Sequence, residues 1–136
     1  MARKTRDAVL AGLRILIADD SSIVRGAIRD LLQGCEDVSA LYESADGEGA
    51  VEQARTLKPD VVLLDLGVPA AAGFEIAARL IREHPSVTVI VISQQDPSVL
   101  QKLTEHYGLR LCLPKSALAS ELAPMLRGIA AKSPHS

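Results

Sequence analysis

Aromatic residues are nearly absent from this sequence. Its 136 residues include two tyrosines, one phenylalanine and no tryptophan. The core must therefore be built from Val, Ile, Leu and Ala, and apolar residues make up 48% of the chain. Cysteine is scarce too. Cys35 and Cys112 fit no metal spacing and read as small core residues in a reducing compartment. There is no basic excess: 15 Lys and Arg stand against 17 Asp and Glu, a net charge of −2. That argues against direct nucleic-acid binding within these residues. No apolar run approaches membrane-spanning length, so no membrane partner is expected. The opening, MARKTRDAVLAGLRILIADD, starts basic, but Arg14 interrupts the apolar run and no small-residue cleavage site follows. It reads as a tail, 1–12, leading into a strand, and the protein as cytoplasmic. The length suits one domain, 13–131, followed by a tail or linker, 132–136.

What is there is an alternation. Short apolar runs at 14–18, 38–42, 60–64, 87–92 and 110–113 read as strands, the fourth (VTVIVI) being the most β-branched stretch of the chain. Between and after them lie helix-period segments. Ser21 or Ser22 caps a helix through Leu32, with Ile23, Ala27, Ile28 and Leu31 expected on one face and Gly34 as its stop. Asp46 caps a helix to about Leu57, which Lys58-Pro59 ends. Residues 73–83 form a third, with Gly73 expected to permit a tight loop-to-helix turn. Asp96-Pro97 starts a fourth, which Gly108 terminates. The last covers about 120–131, with Pro124 near its first turn. Five strand–helix units with strands buried on both faces predict an α/β, doubly wound parallel sheet with helices on both sides. Ligands of such folds sit beyond the carboxyl ends of the strands.

At that edge the strands deliver chemistry. The first ends in Asp19-Asp20, the third in Asp65, the fourth in Ser93, and the fifth is followed by Lys115. The second delivers Glu43 or Ser44, expected farther away on an edge strand. Like carboxylates about 4 Å apart cost roughly 4 kcal/mol per pair at an effective dielectric of about 20. Lys115 offsets part of this. A hard divalent cation such as Mg²⁺ offsets the rest, because it takes oxygen ligands and is usually held by one or two carboxylates plus phosphate. Asp20 and Asp65 are expected as direct ligands, Asp19 through water, and the backbone carbonyl of Gly67 as a further ligand. The same arrangement makes Asp65 a nucleophile toward a phosphoryl group, with Lys115 and the Ser93 hydroxyl binding its oxygens.

The segments ILIADDSSIVR, VVLLDLGVPAAAGFE, VIVIS and LCLPKS, in this order, resemble the receiver domains of bacterial two-component response regulators. The likeness runs over about 13–131. The stretch DGEGAVEQARTLKPDVVLLDLGVP is further similar to receivers that precede helix-turn-helix output domains. The resemblance implies a flavodoxin-like (βα)5 fold with sheet order 2-1-3-4-5. It implies a histidine kinase that donates phosphate to Asp65. It implies a signalling domain, catalysing its own phosphorylation and dephosphorylation, and not an enzyme acting on a separate substrate. An output domain or downstream protein, and a homodimer through the fourth helix, fifth strand and fifth helix, are the partners it suggests.

Three positions depart from the family pattern. Cys112 stands where receivers usually carry an aromatic readout residue. Gln94 follows the hydroxyl where a small residue is usual. Gly67 leaves bare a position that often carries a side chain over the site. The departures at Gln94 and Cys112 keep open a degenerate receiver, a protein-binding module that is not phosphorylated. An aspartate-nucleophile phosphatase needs a second Asp where Gly67 stands. A flavodoxin-type cofactor binder needs a first loop that welcomes phosphate, which Asp19-Asp20 would repel.

Overall fold

A computed structural model describes residues 12–65, 70–94, 96–109 and 111–132. The terminal tails, up to 11 and from 133, lie outside the described residues, as does Gly67. The elements alternate as β1 (Leu13–Ala18), α1 (Ser22–Leu32), β2 (Val38–Ser44), α2 (Gly47–Leu57), β3 (Val61–Asp65), α3 (Ala70–Glu83), β4 (Thr88–Ser93), α4 (Pro97–His106), β5 (Leu111–Pro114), a 3₁₀ turn (Lys115–Ala117) and α5 (Leu118–Lys132). The five strands are parallel in the order β2-β1-β3-β4-β5. This is the expected doubly wound, flavodoxin-like arrangement.

Strand alternation builds two cores from one sheet. Leu16, Val62, Leu64, Val89 and Val91 face α2, α3 and α4 through Val51, Ala54, Phe74, Leu80 and Leu100. Ile15, Ile17, Leu63, Ile90 and Ile92 face α1 and α5 through Ile28, Leu32, Leu122 and Leu126. The three central strands are thus apolar on both faces, while β2, at the edge, is half-buried along most of its length. The shortage of rings leaves one fully buried aromatic, Phe74, which stacks on Tyr107 with centroids 5.3 Å apart. Among the described residues no helix is long and apolar enough to cross a membrane.

Several boundaries differ from the sequence reading. The buried stripe of α1 runs through Ile28 and Leu32, with Val24 packed beside them. Ile23 is 82% exposed and Leu31 40%. Of the expected face Ile28 is buried as read, while Ile23, Ala27 and Leu31 are exposed, the buried stripe lying one residue further along from each of them. Helix α3 begins at Ala70, so Gly73 lies inside it and is no hinge; the alanines before it are the strongest helix formers. Helix α5 begins at Leu118, which places Pro124 in its interior and forfeits a bond to the Ser120 carbonyl. Both cysteines are free and only half-buried, and Cys112 packs on the α2–α4 core.

Helix stops and caps follow the sequence closely. Gly34 and Gly108 adopt φ of +82° and +74°, which only glycine takes freely. Ser21 caps α1 by accepting from the Val24 N–H, and Asp46 caps α2 by accepting from the Gly49 N–H. Asp46→Ala is expected to lower stability by about 1 kcal/mol, measured by urea unfolding with an unchanged m-value.

Candidate functional site

Parity and register place the site. Ala18 pairs with Leu64, Asp65 with Ile92, and Ser93 with Pro114. The next residues along β1 and β5 are Asp19 and Lys115. The Asp19 N–H continues the ladder by donating to the Ser44 carbonyl. Asp65 shares the parity of Leu63, and Asp19, whose N–H continues the β1 ladder, that of Ile17, so both extend from the same face of the sheet. Lys115 opens the 3₁₀ turn that follows β5.

The Asp65 side chain is only 5% exposed, and Lys115 Nζ lies 3.0 Å from its Oδ2. This is a close ion pair, which favours the charged form of the carboxyl. The Asp19 carboxyl is the other close neighbour of Asp65. Asp19 is 7% exposed. Its Oδ1 accepts from the Ser21 N–H at 2.9 Å, while its buried Oδ2 has no partner. Two buried carboxyl groups are thus close neighbours, and Lys115 pairs with only one of them. Burial, followed by the neighbouring Asp19 carboxyl, pushes the Asp65 carboxyl up to about 7 against the downward pull of Lys115.

Ser93 is 2% exposed and ends β4 one residue beyond the register partner of Asp65. Gln94 is exposed just past it. Cys112 sits in mid-β5, half-buried. Asp20 is exposed and its carboxylate makes no ion pair or hydrogen bond among the described residues. Of the three carboxylates expected at this edge, Asp19 and Asp65 are brought together in the interior and Asp20 is exposed. Among the described residues no group of three or more His, Cys, Asp or Glu forms a metal cluster. The unpartnered, buried Oδ2 of Asp19 beside the Asp65 carboxylate still fits a hard divalent cation, which needs only one or two carboxylates beside water and phosphate.

One network was not expected. Glu43, at the end of β2, accepts from Arg25 Nε at 2.9 Å and from Arg29 at 2.6 Å. Arg29 first, then Arg25, holds its carboxyl below the usual range. Arg25 also donates to the backbone carbonyl of Asp19. The signal lay in two arginines four apart on α1, which share a helix face; the assumption that β2 ends too far away hid it.

The family model described as the response regulator receiver domain matches residues 15–127. The chain belongs to the receiver domain family. Among its relatives, the response regulator GacA of Pseudomonas viridiflava is 34% identical over 117 residues, which cover 85% of this chain and 54% of GacA. UvrY of Escherichia coli (strain K12) is 28% identical, over 86% of this chain and 54% of its own. The chain spans about half the length of the relatives it matches. The response regulator domain of Thermotoga maritima CheB superposes with a TM-score of 0.74 at 26% identity, covering 90% of this chain and 99% of that one. A LuxR-family two-component response regulator from Aurantimonas gives 0.78 at 25% identity, covering 88% and 86%. The receiver fold and the family resemblance read from the four motifs are thereby established.

Proposed function

We propose that this receiver accepts a phosphoryl group on Asp65 from a histidine kinase, with Mg²⁺ at the site. The observation that carries the reading is the buried Asp65 carboxyl, flanked by the orphaned Oδ2 of Asp19 and by Lys115 at 3.0 Å. An Asp65 oxygen attacks phosphorus, an acyl phosphate forms, and the bond to the donor breaks with its electron pair leaving on the donor. Bound Mg²⁺ supplies charge neutralisation at the transferring oxygens. Asp19 and Asp65 would hold it together, with the Gly67 carbonyl as a further ligand and the exposed Asp20 reaching it through water. The sequence reading gave Asp20 the direct role and Asp19 the water-mediated one; the burial of Asp19 next to Asp65 and the exposure of Asp20 support the exchange. Lys115 binds one phosphoryl oxygen and the Ser93 hydroxyl donates to another.

Ile23, 82% exposed in the first turn after the acidic pair, is an apolar contact for a donor protein. Signal leaves through the segment after Ser93, beginning at Gln94, and through the α4–β5–α5 surface. Cys112 lacks the volume to act as a swinging aromatic there. An output domain, a downstream protein or a second copy would read that surface.

The test is incubation with acetyl phosphate and measurement of intact mass. A single added phosphoryl group that requires Mg²⁺ and is lost at alkaline pH is expected. No uptake would leave the unphosphorylated binding module as the correct reading.

A further inference from the structure

We propose that Arg25 is a positioning residue for the cation site: it fixes Asp19 so that one carboxylate oxygen is presented to Asp65. This deepens the proposed function and rests on it. Asp19 has four polar groups. Its N–H is held by the Ser44 carbonyl of β2. Its Oδ1 is held by the Ser21 N–H at 2.9 Å. Its carbonyl is held by the Arg25 guanidinium. Only Oδ2 remains, buried and unpartnered, beside Asp65.

Of the three restraints, Arg25 alone is a side chain, and it is charged. Hydrogen bonds from charged donors are the stronger kind. Arg25 is itself held. Its side chain is 16% exposed, and its Nε donates to Glu43 Oε1 at 2.9 Å. The planar guanidinium thus spans the end of β2 and the turn after β1 with donors on different nitrogens, which an ammonium could not do. Arg29 shares Glu43 but makes no hydrogen bond to Asp19. The two arginines therefore separate two effects: both tie α1 to β2, and only Arg25 restrains the acid.

The sign of the effect is diagnostic. If Arg25 acted only through its charge, removing it would tighten binding of a cation. If it orients Asp19, removing it weakens binding. The experiment is a Mg²⁺ titration of the full chain without any phosphodonor, followed by the amide NMR shifts of residues 19–21, on wild type, Arg25→Met and Arg29→Met. Arg25→Met is expected to raise the half-saturating Mg²⁺ about tenfold, the usual effect of losing an outer partner of a metal ligand. Arg29→Met is expected to stay within about twofold of wild type, as for a solvent-screened ion pair. Should Arg25→Met not fold, Arg25→Lys decides. It keeps the charge but not the two-sided reach, and is expected to weaken Mg²⁺ in the same direction by less. Unchanged or tighter binding on losing Arg25, or equal weakening by both methionine variants, overturns the inference alone. A wild type that neither binds Mg²⁺ nor takes up a phosphoryl group overturns the proposed function as well, and the inference with it.

Discussion

Asp65→Asn is expected to take up no phosphoryl group from acetyl phosphate and Mg²⁺, under conditions where the wild type gains one. An amide is a poor nucleophile, so the acyl phosphate cannot form readily at position 65. Among the described residues no second carboxylate pairs with Lys115. Asp20 is exposed. Asp19 is buried, with one oxygen engaged by the Ser21 N–H. The fold should survive, because Asn matches Asp in shape and ends a strand whose other four residues are buried and apolar. Intact mass reports the uptake, and circular dichroism confirms the fold. Uptake by the variant at the wild-type rate would move the phosphoacceptor elsewhere.

The sequence made the sheet legible because its strands are short apolar runs that alternate with helix-period segments, β4 being β-branched almost throughout. Handedness then followed from a general rule for parallel sheets, and the strand order from the family resemblance. What it left unresolved were matters of one residue. Asp19 and Asp20 are equal as letters, and only burial and contacts in the folded chain separate them. Helix α1 shows the same limit: Ile23 and Leu31 make a plausible apolar face beside the one through Ile28 and Leu32, and contact with the sheet chooses between them. Gly73 had a sensible role in a turn, until three alanines extended the helix past it. Arg25 and Glu43 were individually unremarkable surface letters. Their significance comes from a contact spanning 18 residues of chain and from the carbonyl of Asp19, which no side-chain pattern reveals.

Without metal, Asp65→Asn is expected to be more stable than wild type, by an amount that grows with pH. The Asp65 carboxyl rises from an ordinary 3.8 to about 7 in the folded protein. A carboxyl raised on folding gives its full contribution when protonated in both states. That contribution is lost progressively as pH rises from the unfolded value through the folded one. The three-unit rise corresponds to a loss of about 4 kcal/mol at most, at about 1.4 kcal/mol per unit. The groups facing Asp65 set the sign. Burial and Asp19 oppose ionisation, Lys115 favours it, and the first two prevail. An Asn at 65 carries no charge at any pH, and its amide supplies the donor that Asp19 Oδ2 lacks. Near pH 4, where Asp65 is protonated and offers its own donor, the two proteins should differ little. From there to about pH 7 the gap should widen, and above that it should level off. Urea midpoints in a chelator-treated buffer at several values across this range measure it. Added Mg²⁺ should then close part of the gap at alkaline pH by stabilising only the wild type, since it binds the folded state through the ionised pair. A gap that is constant between pH 4 and 8, or a wild type more stable than the variant at pH 8 without metal, would show that the ion pair with Lys115 outweighs the buried repulsion between Asp19 and Asp65.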